Sequence, residues 1–291
     1  MKNADTTQPF RTSPLATLAT AVLALLALTA TVRADENYFG YTYGSETLPK
    51  GHWEIYQWAT FRTGKVDGTY RAFDLQTEIE HGFTDRLQGS LYINAVKHDI
   101  SNVNDFSDRD QFRFNGVQGS LKYSLKSPYK DGYGLAVYLE PGYKRYSAKS
   151  GDREDAFFLE PKLIVQKNFL EGALIWATNF SGEFEREHNL DEQEWESELE
   201  LQLSTGLSYR FAPNWFVGVE ALATSAFERM HLDELGEYGL FVGPNVHYAN
   251  SKWWATLTVL PQVTGWPETV GNRDLEHFEK LQVRLKVGVN F

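Results

Sequence analysis

The sequence predicts an all-β protein, a closed antiparallel transmembrane β-barrel of about twelve strands. Three observations predict it: an N-terminal export signal, a series of segments in which apolar and polar residues alternate, and a last strand that ends the chain on an aromatic.

The export signal comes first. Lys2 and Arg11 precede an unbroken small and apolar run over residues 14–30, and Val32 and Ala34 fit the small-residue pattern of a cleavage site. The competing reading is a membrane anchor, but the run falls short of the roughly 20 residues that a spanning helix needs. Residues 1–34 are therefore expected to be a cleaved signal peptide and residues 35–291 the barrel. Removing Lys2, Arg11 and Arg33 together with Asp5 makes the mature chain still more acidic than the net charge of -11 of the whole sequence.

The strands follow in order. A first one is expected over 53–62, where aromatic residues on both parities leave open which face is wet. Phe73, Leu75 and Ile79 then alternate with Asp74, Gln76, Glu78 and Glu80. After the turn GFTDR, Leu87, Leu91 and Ile93 alternate with Gln88, Ser90 and Asn94, so the two segments read as a hairpin. Val117, Leu121 and Tyr123 against Gln118, Ser120 and Lys122 repeat the pattern. So do Leu135, Val137 and Leu139 against Glu140 and Lys144, and Phe157, Leu159 and Leu163 against Glu160 and Lys162. Leu199, Leu201, Leu203 and Leu207 oppose Glu198, Glu200 and Gln202, and weaker copies cover 173–185, 215–227, 238–248 and 253–265. The last segment sets Leu281, Val283, Leu285, Val287, Val289 and Phe291 against Gln282, Arg284, Lys286 and Asn290. A helix would scatter these sets around its circumference.

The connections alternate too. GFTDR, KSPYKD, LEG, APN and ANSK are short, whereas the connections between them are longer and charged, as in a barrel with short periplasmic turns and long outer loops. An even strand number then puts both termini on the periplasmic side. Trp53, Phe83, Tyr129, Phe169, Phe211, Trp215, Trp253 and Trp254 lie at strand ends, where an interfacial girdle is expected. The terminal strand would turn its apolar face to lipid and pair with the first, leaving no edge. It resembles the C-terminal signal that outer-membrane barrels show their assembly machinery, with Leu285, Val287, Val289 and Phe291 on the favoured positions. Barrel-assembly machinery, outer-membrane lipid and lipopolysaccharide are the partners this implies. A soluble β-sandwich also shows two-faced alternation, but not with this beat of turns.

Composition excludes other classes. With 28 Lys+Arg against 39 Asp+Glu the chain is a poor partner for nucleic acid. The absence of Cys rules out a disulfide framework, a thiol nucleophile and Cys-ligated zinc. No cofactor motif occurs.

By alternation the lumen receives Asp74, Glu78, Glu80, Glu140, Glu160, Glu183, Glu198, Glu200 and Glu220 with Lys122, Lys144, Lys162, Arg210, Arg284 and Lys286. Glu140 and Glu160 each precede a proline on neighbouring strands. With Lys144 and Lys162 they are expected close together in the lumen, with bulges at Pro141 and Pro161. Fixed charges there can select the ions that pass, or they can pair and fill a narrow barrel. His98, His188, His231 and His277 fall in or beside long loops near acids, but their spacing matches no zinc motif, and no metal site is assigned. His52 and His247 lack an evident serine partner, so no catalytic residue is assigned and the chain is not expected to be an enzyme.

The mature sequence also resembles a broad group of outer-membrane proteins, loosely similar to transporters of phenol meta-pathway operons, through YGSETLPKGHWEIYQW, GFTDRLQGSLYIN, and YLEPGY followed by FLEPKL. The resemblance implies a barrel and a lean towards transport. The expected function is a narrow passive channel for a small-molecule solute. A non-conducting structural or surface-interaction barrel is the rival, and an outer-membrane lipid hydrolase comes third.

Overall fold

A computed structural model describes residues 37–189, 194–228, 232 and 235–291. The expected signal peptide and His231 lie outside the described residues. Twelve strands follow one another: β1 Trp53–Thr63, β2 Thr69–Thr84, β3 Leu87–Ser101, β4 Arg109–Lys126, β5 Gly134–Tyr146, β6 Arg153–Phe169, β7 Leu174–Asn189, β8 Glu194–Ala212, β9 Trp215–Glu228, β10 Leu235–Ala249, β11 Trp253–Trp266 and β12 Leu281–Asn290. Each pairs antiparallel with the next, and β12 closes onto β1 from Glu54↔Asn290 to Thr63↔Leu281. The seam continues past the last strand, since Trp53 donates its N–H to the Phe291 carbonyl at 2.9 Å and receives the Phe291 N–H at 3.0 Å. No edge remains to be solvated, which is what permits strands to cross lipid.

All twelve expected segments are present, and most run longer than alternation shows. The long charged connections are partly strand: residues 97–101 belong to β3 and residues 109–116 to β4. Strand that projects beyond lipid need not turn an apolar face outward: Lys97 and Asp99 face out, while His98 and Ile100 are buried inside. Outward side chains form the apolar belt: Leu91 is 71% exposed and Ile93 58%, and Val137, Leu139, Leu163, Leu203 and Leu285 are exposed with them. On β1 the undecided face resolves with Glu54, Tyr56, Trp58, Thr60 and Arg62 inward. Gln57 therefore faces lipid. Its amide donates to the Trp58 and Gln76 carbonyls and accepts the Thr77 hydroxyl, which satisfies it there.

Two expectations need correction. Trp254 is not in the girdle: it is fully buried inside the barrel, where its indole N–H meets Glu54. The even parity of β11 sends it inward with Thr256 and Thr258. The prolines, moreover, do not shift register. Glu140↔Glu160, Leu139↔Pro161 and Pro141↔Leu159 stay in step, while pairing lapses on the other flank of each proline, towards β4 and β7, and resumes in the same register. A residue without an N–H simply leaves a gap in one ladder.

A parity change does occur in β4. Asn94↔Gly116 is followed by Ala95↔Phe114, so Asn115 is skipped, and its side-chain oxygen accepts the Arg145 and Tyr146 N–H groups. This bulge turns Phe112 and Phe114 to the outside, where both are exposed. Gly116 sits at φ 108°, and a Cβ there would lie 1.9 Å from the Tyr143 carbonyl oxygen. At Gly119 a Cβ would meet nothing nearer than 3.5 Å. Gly116→Ala should therefore lower the thermal midpoint of heat-modifiable gel migration clearly, with backbone strain of order 1–3 kcal/mol, and Gly119→Ala should hardly move it. Equal midpoints for the two variants would show that the bulge is not required.

Candidate functional site

The lumen is occupied. Residues 37–50, ahead of β1, do not join the sheet but cross the inside of the barrel as an extended strap. Glu220 of β9 is fully buried and accepts three consecutive strap N–H groups, from Gly40 at 3.0 Å, Tyr41 at 2.7 Å and Thr42 at 2.7 Å, plus the Thr258 hydroxyl at 3.1 Å. Across the barrel Asn179 of β7 takes the Tyr43 N–H at 2.6 Å and returns its own N–H to the Tyr43 carbonyl at 3.0 Å. Gln166 of β6 accepts from Ser45, Gln88 of β3 from Leu48, and Asp85, in the turn before β3, from Lys50. The strap thus runs from the β9–β11 wall to the β2–β3 wall, within the half of the barrel nearer the short turns.

Strap side chains lock between wall groups. Phe39 packs with Tyr38, Ile175 and Phe216. Tyr41 meets Leu222, Phe241, Leu260 and Phe278, and Tyr43 meets Tyr138 and Ile164. The cations of this half are engaged by the strap as well. Arg284 donates to the Gly40 carbonyl at 3.2 Å and lies 3.8 Å from the Tyr41 ring; Lys286 donates to Phe39 at 3.3 Å and sits 4.2 Å from the Trp58 ring. Lys122 donates to the Gly44 carbonyl at 3.4 Å.

Towards the long-loop end, two connections fold inward. Residues 147–152 are held by Arg62 to the Ala148 carbonyl at 2.6 Å, Tyr70 to Lys149 at 2.9 Å and Arg113 to Gly151 at 2.6 Å; from there Lys149 reaches Glu237 of β10 at 2.7 Å. Residues 267–280 bury Asp274, Leu275, Phe278 and Glu279, and Phe278 meets the cluster that contains Tyr41.

Between strap and loops the wall is acidic on one side. Glu140↔Glu160, Glu183↔Glu200, Glu185↔Glu198 and Glu187↔Glu196 lie directly opposite one another on β5–β8. Lys162 pairs with Glu160 at 3.2 Å, 4.3 Å from the Tyr43 ring, and Lys144 bridges Glu183 and Glu185. Glu183 keeps 29% of its side chain exposed and Glu196 is exposed, whereas Glu140, Glu160 and Glu185 are nearly buried, so water reaches the upper part of this wall and not the Glu140–Glu160 pair.

The residues singled out from sequence are placed as follows. Glu140, Glu160 and Lys162 come together; Glu140 also accepts from Gln118 at 2.8 Å and from Tyr138. Lys144 lies higher, among Glu183 and Glu185. Glu220 and Arg284 hold the strap. Leu285, Val287, Val289 and Phe291 point outward. The histidines do not assemble: His98 is buried on β3 with its ring on the Ala148 carbonyl, His188 stacks on Trp195, and His277 sits 2.8 Å from Asp274, which raises its pKa above the ordinary imidazole value. His247 is buried against the Thr256 hydroxyl at 2.7 Å. Among the described residues, the group of three with ligand atoms within 4.8 Å is Glu154, Glu185 and Glu187, and Lys144 already neutralises it in part.

The strap was missed because it has no periodicity. The signal available was the uncharged, Gly- and Tyr-rich stretch over residues 37–45, too long for a simple lead into β1.

The model of a family of unknown function, DUF6662, matches residues 31–291. No curated protein matches the chain. Among solved structures it is similar to the COG4313 outer membrane channel from Pseudomonas putida F1, at TM-score 0.58 and 12% identity over 85% of this chain and 98% of that one. It is also similar to the NanC porin, at 0.51 and 10% over 81% and 98%, and to the translocator domain of the autotransporter NalP from Neisseria meningitidis, at 0.51 and 10% over 84% and 90%. Likeness at this level shows the fold, and with the closed sheet and apolar belt it places the protein in the bacterial outer membrane.

Replacing Glu220 by Ala would leave three strap donors without an acceptor, at about 1–3 kcal/mol each. Amide hydrogens at Gly40, Tyr41 and Thr42 should exchange slowly in the native chain and orders of magnitude faster in Glu220→Ala. Unchanged protection would mean that Glu220 does not seat the strap.

Proposed function

The chain belongs to the family DUF6662, and on that footing we propose a narrow channel for small solutes that prefers cations and rests closed by its strap. The observation that carries this reading is the set of glutamate pairs facing each other on β5–β8. Like charges directly opposite destabilise a ladder, and a barrel built only for stability would have alternated acid with base. A water-reached wall of this kind instead gathers cations from solution. The charge on the opposite side, Arg62, Arg284 and Lys286, is tied to acids or strap carbonyls.

The strap supports the closed state. It adds no strand to the sheet, so the barrel is complete without it, and it is held by side chains, which can release it without breaking a ladder. We place the short-turn end and both termini at the periplasm, so the strap would be released from the periplasmic half. The channel proteins among the solved likenesses fit this reading. His247 points into the lumen onto Thr256, away from lipid, which speaks against a lipid hydrolase built on it.

In planar bilayers, deletion of residues 37–48 should raise conductance several-fold, and Glu183→Gln with Glu200→Gln in that background should reduce the preference for potassium over chloride. A deletion variant that folds yet conducts no better than the native chain would favour the structural barrel instead.

A further inference from the structure

The wall reads the main chain of the strap. Between residues 37 and 48, the carbonyls of Asn37, Tyr38, Phe39, Gly40, Tyr43 and Gly44 accept from Thr256, Asn245, Lys286, Arg284, Asn179 and Lys122. The N–H groups of Gly40, Tyr41, Thr42, Tyr43, Ser45 and Leu48 donate to Glu220, Asn179, Gln166 and Gln88. None of these contacts involves a strap side chain. Any buried segment must have its main-chain groups paired; here it is the side chains of the wall, not a neighbouring strand, that pair them. Here carboxylate and amide oxygens face the donors, cations and amide N–H groups face the acceptors, and one side-chain amide clasps both polar groups of Tyr43. Such a surface holds an extended peptide chiefly by its main chain.

Side chains enter as well: Ser45 donates to Gln166 at 3.3 Å, Glu46 accepts from Gln166 at 2.8 Å, the Tyr43 ring lies 4.3 Å from Lys162, and Leu48 is fully buried. The tightest fits are at Gly40 and Phe39. A Cβ on Gly40 would lie 2.6 Å from the Thr258 hydroxyl oxygen and 2.8 Å from its Cβ, so this position admits glycine. Phe39 occupies space that exists because residue 206 is glycine, where a Cβ would stand 2.4 Å from the Phe39 ring. Tyr41 follows into the apolar cluster of Phe241, Leu260 and Phe278. The shape is aromatic, glycine, aromatic.

We infer that the seat of the strap is a peptide-binding site that reads main chain, that the strap is its resident occupant, and that free extended peptides with a glycine between two aromatic residues compete for it. This rests on the strap being separable from the barrel, as the channel reading requires, but not on conduction.

The fold offers a way to test it with the whole chain. Gly51 lies in the turn between strap and β1, at φ 85° with open space around its Cα. A site-specific protease sequence inserted after Gly51 allows the folded protein to be cut, turning the strap into a bound peptide. Exchange is then followed by fluorescence anisotropy with a labelled synthetic peptide of residues 37–48. Competitors are the same peptide N-methylated at Gly40, Tyr41 and Thr42, and a peptide with alanine everywhere except Phe39, Gly40, Tyr41, Tyr43, Gly44 and Leu48. The labelled peptide should exchange into the cut barrel; the alanine peptide should displace it, and the methylated one should need at least about tenfold more, because it cannot donate to Glu220. Equal competition by the methylated peptide would overturn main-chain reading. Failure of the alanine peptide would reduce the seat to a fit for the strap alone, and a strap that never exchanges would overturn separability. A barrel that binds these peptides but never conducts would sink the channel reading and leave this one standing.

Discussion

A main-chain N–H or C=O removed from water must find a partner, and this structure follows from meeting that demand in two ways. The wall meets it by closure. Every strand pairs on both sides, and the join of β12 to β1 carries through Trp53 and Phe291 to the end of the chain. The strap meets it with side chains, because a segment lying across the strands cannot enter a ladder. This is why the lumen needs buried Glu220, Asn179, Gln166 and Gln88 at the places it has them. Remove the strap, and those groups would face water or one another.

The same constraint explains how the charges divide. In the strap's half, the charges that touch the strap are buried and matched to peptide dipoles, Glu220 against donors and Arg284, Lys286 and Lys122 against carbonyls, while Glu80 accepts from Tyr56, Gln88 and Ser90. In the half towards the long loops, charge is partly hydrated, and the glutamates of β5–β8 outnumber the lysines that reach them. A buried charge must be paired, whereas a hydrated one can be left to gather counterions. One barrel therefore holds a sealed compartment and a wet one, with Tyr41 and Phe278 packed at their border.

Much of the wall was legible in the sequence, and the reason is lipid. Where one face must be apolar, as at Leu135, Val137 and Leu139, period-two alternation fixes strand and facing together. It failed where lipid does not act. In strand beyond the membrane, such as residues 97–101, the outward set is Lys97, Asp99 and Ser101, so no apolar face marks the lipid side. On β1, Tyr56 and Trp58 face inward because the strap gives aromatic rings something to pack on. Trp254 was assigned to the girdle from its place at a strand end, but parity and the Glu54 carboxylate hold it inside. The Asn115 bulge leaves no mark except a glycine among many. The candidate residues Glu140, Glu160 and Glu220 could be placed in the lumen by parity, but their partners could not, since depth and neighbours depend on register and on a strap without a pattern.

The central claim is that residues 37–50 lie inside the barrel against the β9–β11 wall, and the chain has no cysteine of its own to complicate a direct measurement. The Cβ of residue 40 would stand 2.8 Å from that of Thr258, so a shift of the strap by about 1 Å reaches disulfide geometry once residue 258 has given up its hydroxyl. With Gly40→Cys and Thr258→Cys in native outer membranes, mild oxidation should join the two residues in nearly all of the folded protein, and a Thr258→Cys pair with Cys placed at Gly51, on the exposed turn, should stay open. Failure of the first pair to close in protein that is folded, or equal closure of both, would contradict the account.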